Sequence, residues 1–259
     1  MPRFFVDAGA VRDGVVVLEG EDAAHLTRSL RVRAGERLVV VEDGRWMHEI
    51  LVTEALPARV TGAVQRTDPA SGEPGVAIHV LQAIPARGMD DAIEAVAIAG
   101  ARAIHPVVTE RGVARPGAPA AERRTVRWQA IAREAAQLAG RARVPVVAAP
   151  RSLDGALAAL PAGCRILACA ATADATPITE VDLDRDHPVA LVIGPEGGLG
   201  PGDLSTLHAA RGWERVHLGE RIVPSRLAGF MAVSLLLGAR GELDRAPSEL
   251  RANTASVSS

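Results

Sequence analysis

The chain has 259 residues, 48% apolar and 23% charged, with a formal net charge of −2. That is the composition of a globular protein, with room for one large domain or a small and a medium one. The charge balance excludes a basic field over the whole molecule, so a nucleic-acid partner has only local patches to meet, and all 29 basic residues are Arg.

The opening Met1-Pro-Arg-Phe-Phe-Val-Asp7 lacks the apolar core of a signal peptide. Val15 to Leu18 is a β-branched run that predicts a strand. Glu21 or Asp22 is placed to cap a helix reaching Leu30, ended by a turn at Gly35. Leu38 to Val41 predicts a strand, Glu42-Asp-Gly44 a hairpin turn, and Trp46 to Val52 the returning strand. Arg59 to Val64 predicts one more. Short strands at this spacing predict a small β-barrel over residues 1–70. Thr67-Asp-Pro-Ala-Ser-Gly-Glu-Pro-Gly75 has no apolar period and reads as the linker to a second domain.

From there, over residues 75–242, strands and helices alternate. Val76 to Ala83 predicts a strand, Asp90 to Ala99 a helix stopped by Gly100, and Ile104 to Val108 a strand. Ala121 to Ala139 predicts a long helix closed by Gly140, Val144 to Ala148 is extended, and Ser152 caps a short helix to Leu160. Ile166 to Ala170 and Val189 to Ile193 are apolar runs of the kind buried in parallel sheets. Pro201 opens a helix to Ala210, Arg215 to Leu218 predicts a strand, and Ser225 opens a last helix to about Ala239. The alternation predicts an α/β fold with a parallel sheet and helices on both faces. The polar residues 246–259 predict a disordered tail.

No stretch approaches the roughly 18 apolar residues of a membrane span. Cys164 and Cys169 are an odd number of positions apart on a predicted strand, hence on opposite faces, and form neither a disulfide nor a metal pair. A reducing cytoplasm fits. The histidines have no metal-ligand spacing, so no metal is expected, and no Ser-His-Asp or Cys-His arrangement stands out.

Leu191-Val-Ile-Gly-Pro-Glu-Gly-Gly-Leu-Gly200 runs from a buried strand into a glycine-rich turn and then a helix. Glycines there let the backbone approach a ligand, and ligands of open α/β sheets sit beyond the carboxyl ends of strands. The alternative is a tight strand-to-helix turn with no ligand. The loop is neither a phosphate loop nor a dinucleotide fingerprint, and Glu196 would repel a pyrophosphate. Val216-His-Leu-Gly-Glu-Arg-Ile-Val-Pro-Ser225 is a second strand-end loop, and two such loops can face each other across a pocket.

Gly194-Pro-Glu-Gly-Gly198, followed by Leu218-Gly219 and a terminal small-residue helix, resembles the signature of the SPOUT methyltransferases. Several stretches resemble the RsmE family in particular, which methylates uridine N3 in small-subunit ribosomal RNA. They are Pro2-Arg-Phe-Phe5, Glu21-Asp-Ala-Ala-His-Leu26, Leu30-Arg-Val-Arg-Ala-Gly-Glu36 and Ile104-His-Pro-Val-Val-Thr-Glu-Arg111. Arg127-Trp128, Glu134-Ala-Ala136, Gly140-Arg141 and Val144-Pro145 follow in order, so the likeness is collinear from Met1 to Ala239. It implies a PUA-like β-barrel that helps hold RNA, and a SPOUT domain whose chain threads a trefoil knot. It also implies a homodimer and S-adenosyl-L-methionine as cofactor. Cofactor contacts are then expected from Gly194, Glu196, Gly197, Gly198, Leu218, Gly219, Ile222, Val223 and Ser225. The expected reaction is direct attack of a uracil N3 on the sulfonium methyl group, with Arg221 or Arg226 stabilising charge on a uracil oxygen.

This chain departs from the family at the last loop, where Leu-Arg-Thr-Glu-Thr-Ala is replaced by Val223-Pro-Ser-Arg-Leu-Ala228. Gln137-Leu-Ala-Gly-Arg141 and Ala95-Val-Ala-Ile-Ala-Gly100 have also lost polar groups. Two other readings are a SPOUT enzyme with a different RNA or small-molecule substrate, and a catalytically weakened RNA-binding homologue. Arg28, Arg31, Arg33 and Arg37 form one basic group, and Arg123, Arg124, Arg127, Arg133, Arg141 and Arg143 another. Their plain alternative is solvated faces paired with Asp and Glu. With 16S ribosomal RNA or the small subunit as partner, Arg3, Arg28, Arg31, Arg33 and Arg141 are the expected RNA contacts. Arg28, Arg31 and Arg141 would share one surface, and Phe4 or Phe5 would stack on a base.

Overall fold

The computed structural model describes residues 3–172, 174–182, 187–210 and 212–244; the opening Met1-Pro2 and the tail expected from Ala246 lie outside them. The chain divides into two compact units, Met1–Glu73 with Ala136–Val144, and Pro74–Ala135 with Pro145–Ser259.

The first unit carries strands β1 (Arg3–Val6), β2 (Val15–Glu19), β3 (Arg37–Glu42), β4 (Trp46–Leu56) and β5 (Arg59–Pro69) in the order β1-β3-β4-β5-β2. β1 pairs parallel with β3, and the other pairings are antiparallel. The hairpin turn stands where it is expected: Asp43 and Gly44 both take positive φ, 49° and 62°, as a tight two-residue connection requires. Among the described strands β1 and β2 stand at the two ends of this order, so the sheet is not closed, which corrects the expectation of a small barrel.

β5 also runs past its expected end into the composition-defined linker, because Arg66 to Pro69 go on pairing with Glu49 to Trp46 of β4, and Thr67 Oγ1 also bonds the buried His48 Nδ1 at 2.9 Å. Helix α1 (Gly20–Ala24) continues as one π-helical turn, His25–Ser29, and Arg31 leaves it with φ 54°. Glu21 and Asp22 therefore sit inside the first turn rather than capping it, and the Asp22 carboxylate accepts from Gln137 Nε2 at 3.0 Å. Phe4, Leu18, Leu26, Val40, Ile50 and Val60 form the core under this sheet. Phe4 is fully buried and therefore cannot stack on a base.

The second unit holds β6 (Ile78–Ala83), β7 (Ala103–Val108), β8 (Val146–Val147), β9 (Arg151–Ser152), β10 (Arg165–Cys169), β11 (Thr176–Pro177), β12 (Val189–Ile193) and β13 (Trp213–His217). They form one eight-stranded sheet, order β11-β13-β10-β12-β6-β7-β8 with β9 also on β7, and every pairing is parallel. Its helices are α2 (Met89–Ala99), α3 (Ala118–Leu138), α4 (Leu153–Ala158), α5 (Pro201–Ala209) and α6 (Ser225–Ala239), and α3 contributes its last residues to the first unit.

The apolar runs cover both faces, as parallel strands must. On β12, Val189, Leu191 and Ile193 pack with Ile93 and Val96 of α2, Ala132 of α3 and Val233 of α6. The alternate residues Ala190 and Val192 pack with Leu153 of α4 and Leu207 of α5. Gly100, with φ 110°, ends α2 as expected. α2 and α3 are joined by Asp90, whose carboxylate receives Trp128 Nε1 at 3.0 Å and the Arg127 guanidinium.

Candidate active site

β7, β10, β12 and β13 run parallel, so their carboxyl ends open on one edge of the sheet. The loops leaving them converge there around a cavity of about 680 Å³. β12 delivers Gly194, Glu196, Gly197 and Gly198 to its wall, and β13 delivers Leu218, Gly219, Arg221, Ile222 and Val223, followed by Ser225 at the start of α6. The residues expected to hold a cofactor thus all line one cavity, and Arg221 lines it with them. Arg226 does not: one position into α6 it leaves the cavity, and its stem lies against Gly88, where an added Cβ would come within 2.8 Å of Arg226 Cδ.

The Gly194–Gly198 turn is tight. A Cβ on Gly194 would meet Leu199 N at 3.2 Å, and Gly198 takes φ 69°. Side chains from elsewhere hold the turn. Ser225 Oγ donates to Gly194 O at 2.7 Å, and Arg111 donates to Gly197 O at 2.9 Å. The amide of Ala86 donates to Glu196 Oε2 at 3.4 Å. Ser225 therefore begins α6 but does not cap it; its hydroxyl reaches across to the other loop, while Pro224 O accepts from Leu227 N and Ala228 N.

Further along, the start of α5 is locked to the end of β7. Asp203 accepts from Gly200 N at 2.9 Å and from Glu110 N at 3.1 Å, and Glu110 Oε2 accepts from Gly202 N at 2.6 Å.

Two walls are absent from the sequence reading. Ala168 to Thr172 close the cavity after β10, and Arg111 reaches it after β7. Their signal was available: each follows a strand that the apolar pattern marks, and the strand-end rule applies to each equally. What pattern alone cannot supply is the strand order that makes β7, β10, β12 and β13 near neighbours.

The wall chemistry is mixed. Ile193, Leu199, Leu218, Ile222 and Val223 are apolar, Glu196 is the one carboxylate among the lining residues, and Arg111, Arg215 and Arg221 are cationic. Arg215 is engaged with Asp174 and lies over Trp213. Burial pushes the Cys169 thiol up to about 12, so at neutral pH it is a protonated wall residue and not a nucleophile. Cys164 is likewise raised, to about 11, and both cysteines are free.

Of the arginines expected to meet RNA, Arg28, Arg31 and Arg33 are exposed. Arg141 is only 3% exposed, and its guanidinium is bound by Glu73 at 2.5 and 3.2 Å. It is therefore not on a shared surface with Arg28 and Arg31. Arg3 is buried and donates to Ser71 O at 2.7 Å. Both hold the first unit's chain in place. Among the described residues no group of three metal-ligating side chains occurs, and no helix is long and apolar enough to cross a membrane.

Residues 72–237 match the family model of the RNA methyltransferase domain. A ribosomal RNA small subunit methyltransferase E from Mycobacterium bovis is 30% identical, over 93% of this chain and 91% of that protein. One of the same name from Synechocystis is 27% identical, over 90% and 76%. The crystal structure of a ribosomal RNA small subunit methyltransferase E from Neisseria gonorrhoeae, bound to S-adenosyl methionine, superposes with a TM-score of 0.80. It is 26% identical, over 92% of this chain and 97% of that one.

Proposed function

Because the chain belongs to the RNA methyltransferase family, and within it to the branch of the ribosomal RNA small subunit methyltransferases E, we propose that it transfers a methyl group from S-adenosylmethionine to N3 of a uridine in 16S ribosomal RNA. The observation that carries this reading is the single cavity on which Gly194–Gly198 and Leu218–Ser225 converge. Its volume lies in the range of small-molecule sites, and its glycine-lined wall lets backbone groups approach a ligand closely.

The residues present fit the cofactor. Apolar side chains flank the space for an adenine ring, backbone groups of the two glycine-bearing loops beyond those bonded to Ser225, Arg111, Pro195 and His217 offer polar contacts, and Glu196 tolerates a positive sulfonium. When bound, S-adenosylmethionine supplies an electrophilic methyl group on sulfur. The protein's task is then to position the base and exclude water. No cysteine nucleophile is involved, since Cys169 stays protonated. Arg221, at the cavity wall, binds the oxygen of the uracil on which negative charge grows as N3 releases its proton to solvent. Arg226 stands outside the cavity, which supports assigning this role to Arg221 alone.

The first unit, a PUA-like RNA-holding module, presents Arg28, Arg31 and Arg33 to phosphates. The second unit is a trefoil-knotted SPOUT domain. The chain acts as a homodimer in the cytoplasm. A different RNA target is the second reading, and it is favoured by Pro224 and Arg226 in the last loop, where the family carries Arg and Glu.

The test is methyl transfer from labelled S-adenosylmethionine to small subunits that lack the uridine modification, read by nucleoside mass spectrometry. 3-Methyluridine is the expected product. A different methylated nucleoside would move the assignment to the second reading, and no transfer to any RNA would end both.

A further inference from the structure

Gln82 lies at the end of β6, in register with Ile193 of β12, the residue that precedes Gly194. It is 0% exposed and is not among the residues that line the cavity. Its Nε2 faces three acceptors: Ala83 O at 3.0 Å, Ser225 Oγ at 3.3 Å and Ser225 O at 3.4 Å. Its Oε1 has no partner among the described residues. Turning the amide over would aim that oxygen at two carbonyls, so the neighbours fix the orientation.

Packing here is close because α6 carries Gly229: a Cβ at that position would come within 3.0 Å of Gln82 Oε1 and 2.9 Å of Val96 Cγ2. A buried amide with an unpaired oxygen costs stability, and an apolar side chain of the same length would avoid the cost. Core packing alone therefore gives no reason for a glutamine.

The direction of the hydrogen bonds supplies one. Gln82 has protons to give and Ser225 Oγ accepts one, which leaves the single hydroxyl proton of Ser225 to bond Gly194 O at 2.7 Å. Within the turn the Gly198 amide bonds Pro195 O at 2.9 Å, and Gly194 O has no backbone donor among the described residues. The side chain of Ser225 holds it instead, and Gln82 sets which way that hydroxyl points.

We infer that Gln82 is a positioning residue for the Gly194–Gly198 loop, acting through Ser225; its effect on ligand binding rests on that loop being the S-adenosylmethionine site. Gln82→Met keeps the shape and removes the donor. Amide hydrogen exchange in the ligand-free variant is expected to quicken across residues 194–199 while the melting temperature holds or rises. Calorimetry is expected to show about tenfold weaker S-adenosylmethionine binding, the size of one lost hydrogen bond. Ser225→Ala should do the same, and the double variant should be no worse than Ser225→Ala alone, because both changes cut one chain. Ser225→Thr, which keeps the hydroxyl, should restore both readouts.

Loop exchange at the wild-type rate in Gln82→Met, or additive losses in the double variant, would overturn the inference. A fallen melting temperature with unchanged loop exchange would also overturn it, by assigning Gln82 a plain core role. Absence of S-adenosylmethionine binding by the wild-type protein would sink the functional reading instead, and the exchange rates of the ligand-free proteins would still decide the coupling.

Discussion

His79 and His105 meet on neighbouring strands, with His79 Nδ1 at 3.1 Å from His105 Nε2 and the rings stacked at 25°. Nothing in their spacing along the chain announces the pair; the parallel register of β6 and β7 makes it. Burial first, then His79 and Arg151, press the His105 pKa down to about 4, and burial with Arg102 lowers that of His79. Between about pH 6.5 and pH 4 the unfolded chain takes up a proton that folded His105 refuses, so stability is present above this window and is lost as pH falls through it. Urea midpoints measured from pH 7 to pH 4.5 should decline, and His105→Asn should flatten the decline; an unchanged slope would remove His105 as its source. Arg221 makes the second prediction at this scale. Arg221→Ala should lower kcat by roughly 10²-fold or more while leaving the calorimetric affinity for S-adenosylmethionine within about twofold. Arg226→Ala should leave kcat nearly unchanged. Equal effects of the two would show that lining the cavity is not what distinguishes them.

At the level of elements, the segment that composition marks as a linker ends in a clamp. Glu73 takes both nitrogens of the buried Arg141 fork and also accepts from Ala142 N at 3.0 Å and Arg143 N at 3.1 Å. One carboxylate thereby fixes the turn that follows α3. Glu73→Ala leaves a guanidinium buried without it and should cost about 2–3 kcal/mol, below the range for fully buried pairs because Glu73 is partly exposed. Chemical denaturation would check this, and a loss under about 0.5 kcal/mol would place the pair among ordinary surface ion pairs. The linker was legible as a break in apolar period. Its anchoring was not, because Pro, Gly and Ser content carries no record of a partner nearly seventy positions away. The same limit explains α1: acidic residues near a helix start look like caps, and only the fold reveals that Asp22 answers Gln137.

For the whole molecule, the exposed apolar surface bears on assembly. Ile222 is 92% exposed, and Leu227 and Phe230 on the adjoining turns of α6 are 40% and 39% exposed. Large apolar side chains left exposed on neighbouring stretches of chain are of the kind found at protein interfaces, which supports the homodimer proposal. Ile222→Asp should shift the sedimentation coefficient from dimer to monomer at micromolar concentration, with little change in melting of the secondary structure. A monomeric wild-type protein would remove the proposal.

The sequence by itself determined the parallel α/β architecture and the composition of the two glycine-bearing loops that line the cavity. Both are written in local signals: continuous apolar runs such as Val189–Ile193, and glycines where a strand must turn at once. It also carried the family, through the collinear order of many weak motifs. The tertiary structure alone decided that the first sheet stays open, that Arg141 and Phe4 are buried, that Arg221 faces the cavity and Arg226 does not, and that Gln82 meets Ser225. These are contacts between residues far apart in the chain. They follow from strand order and from which side of a turn a side chain leaves, and neither has a local signature.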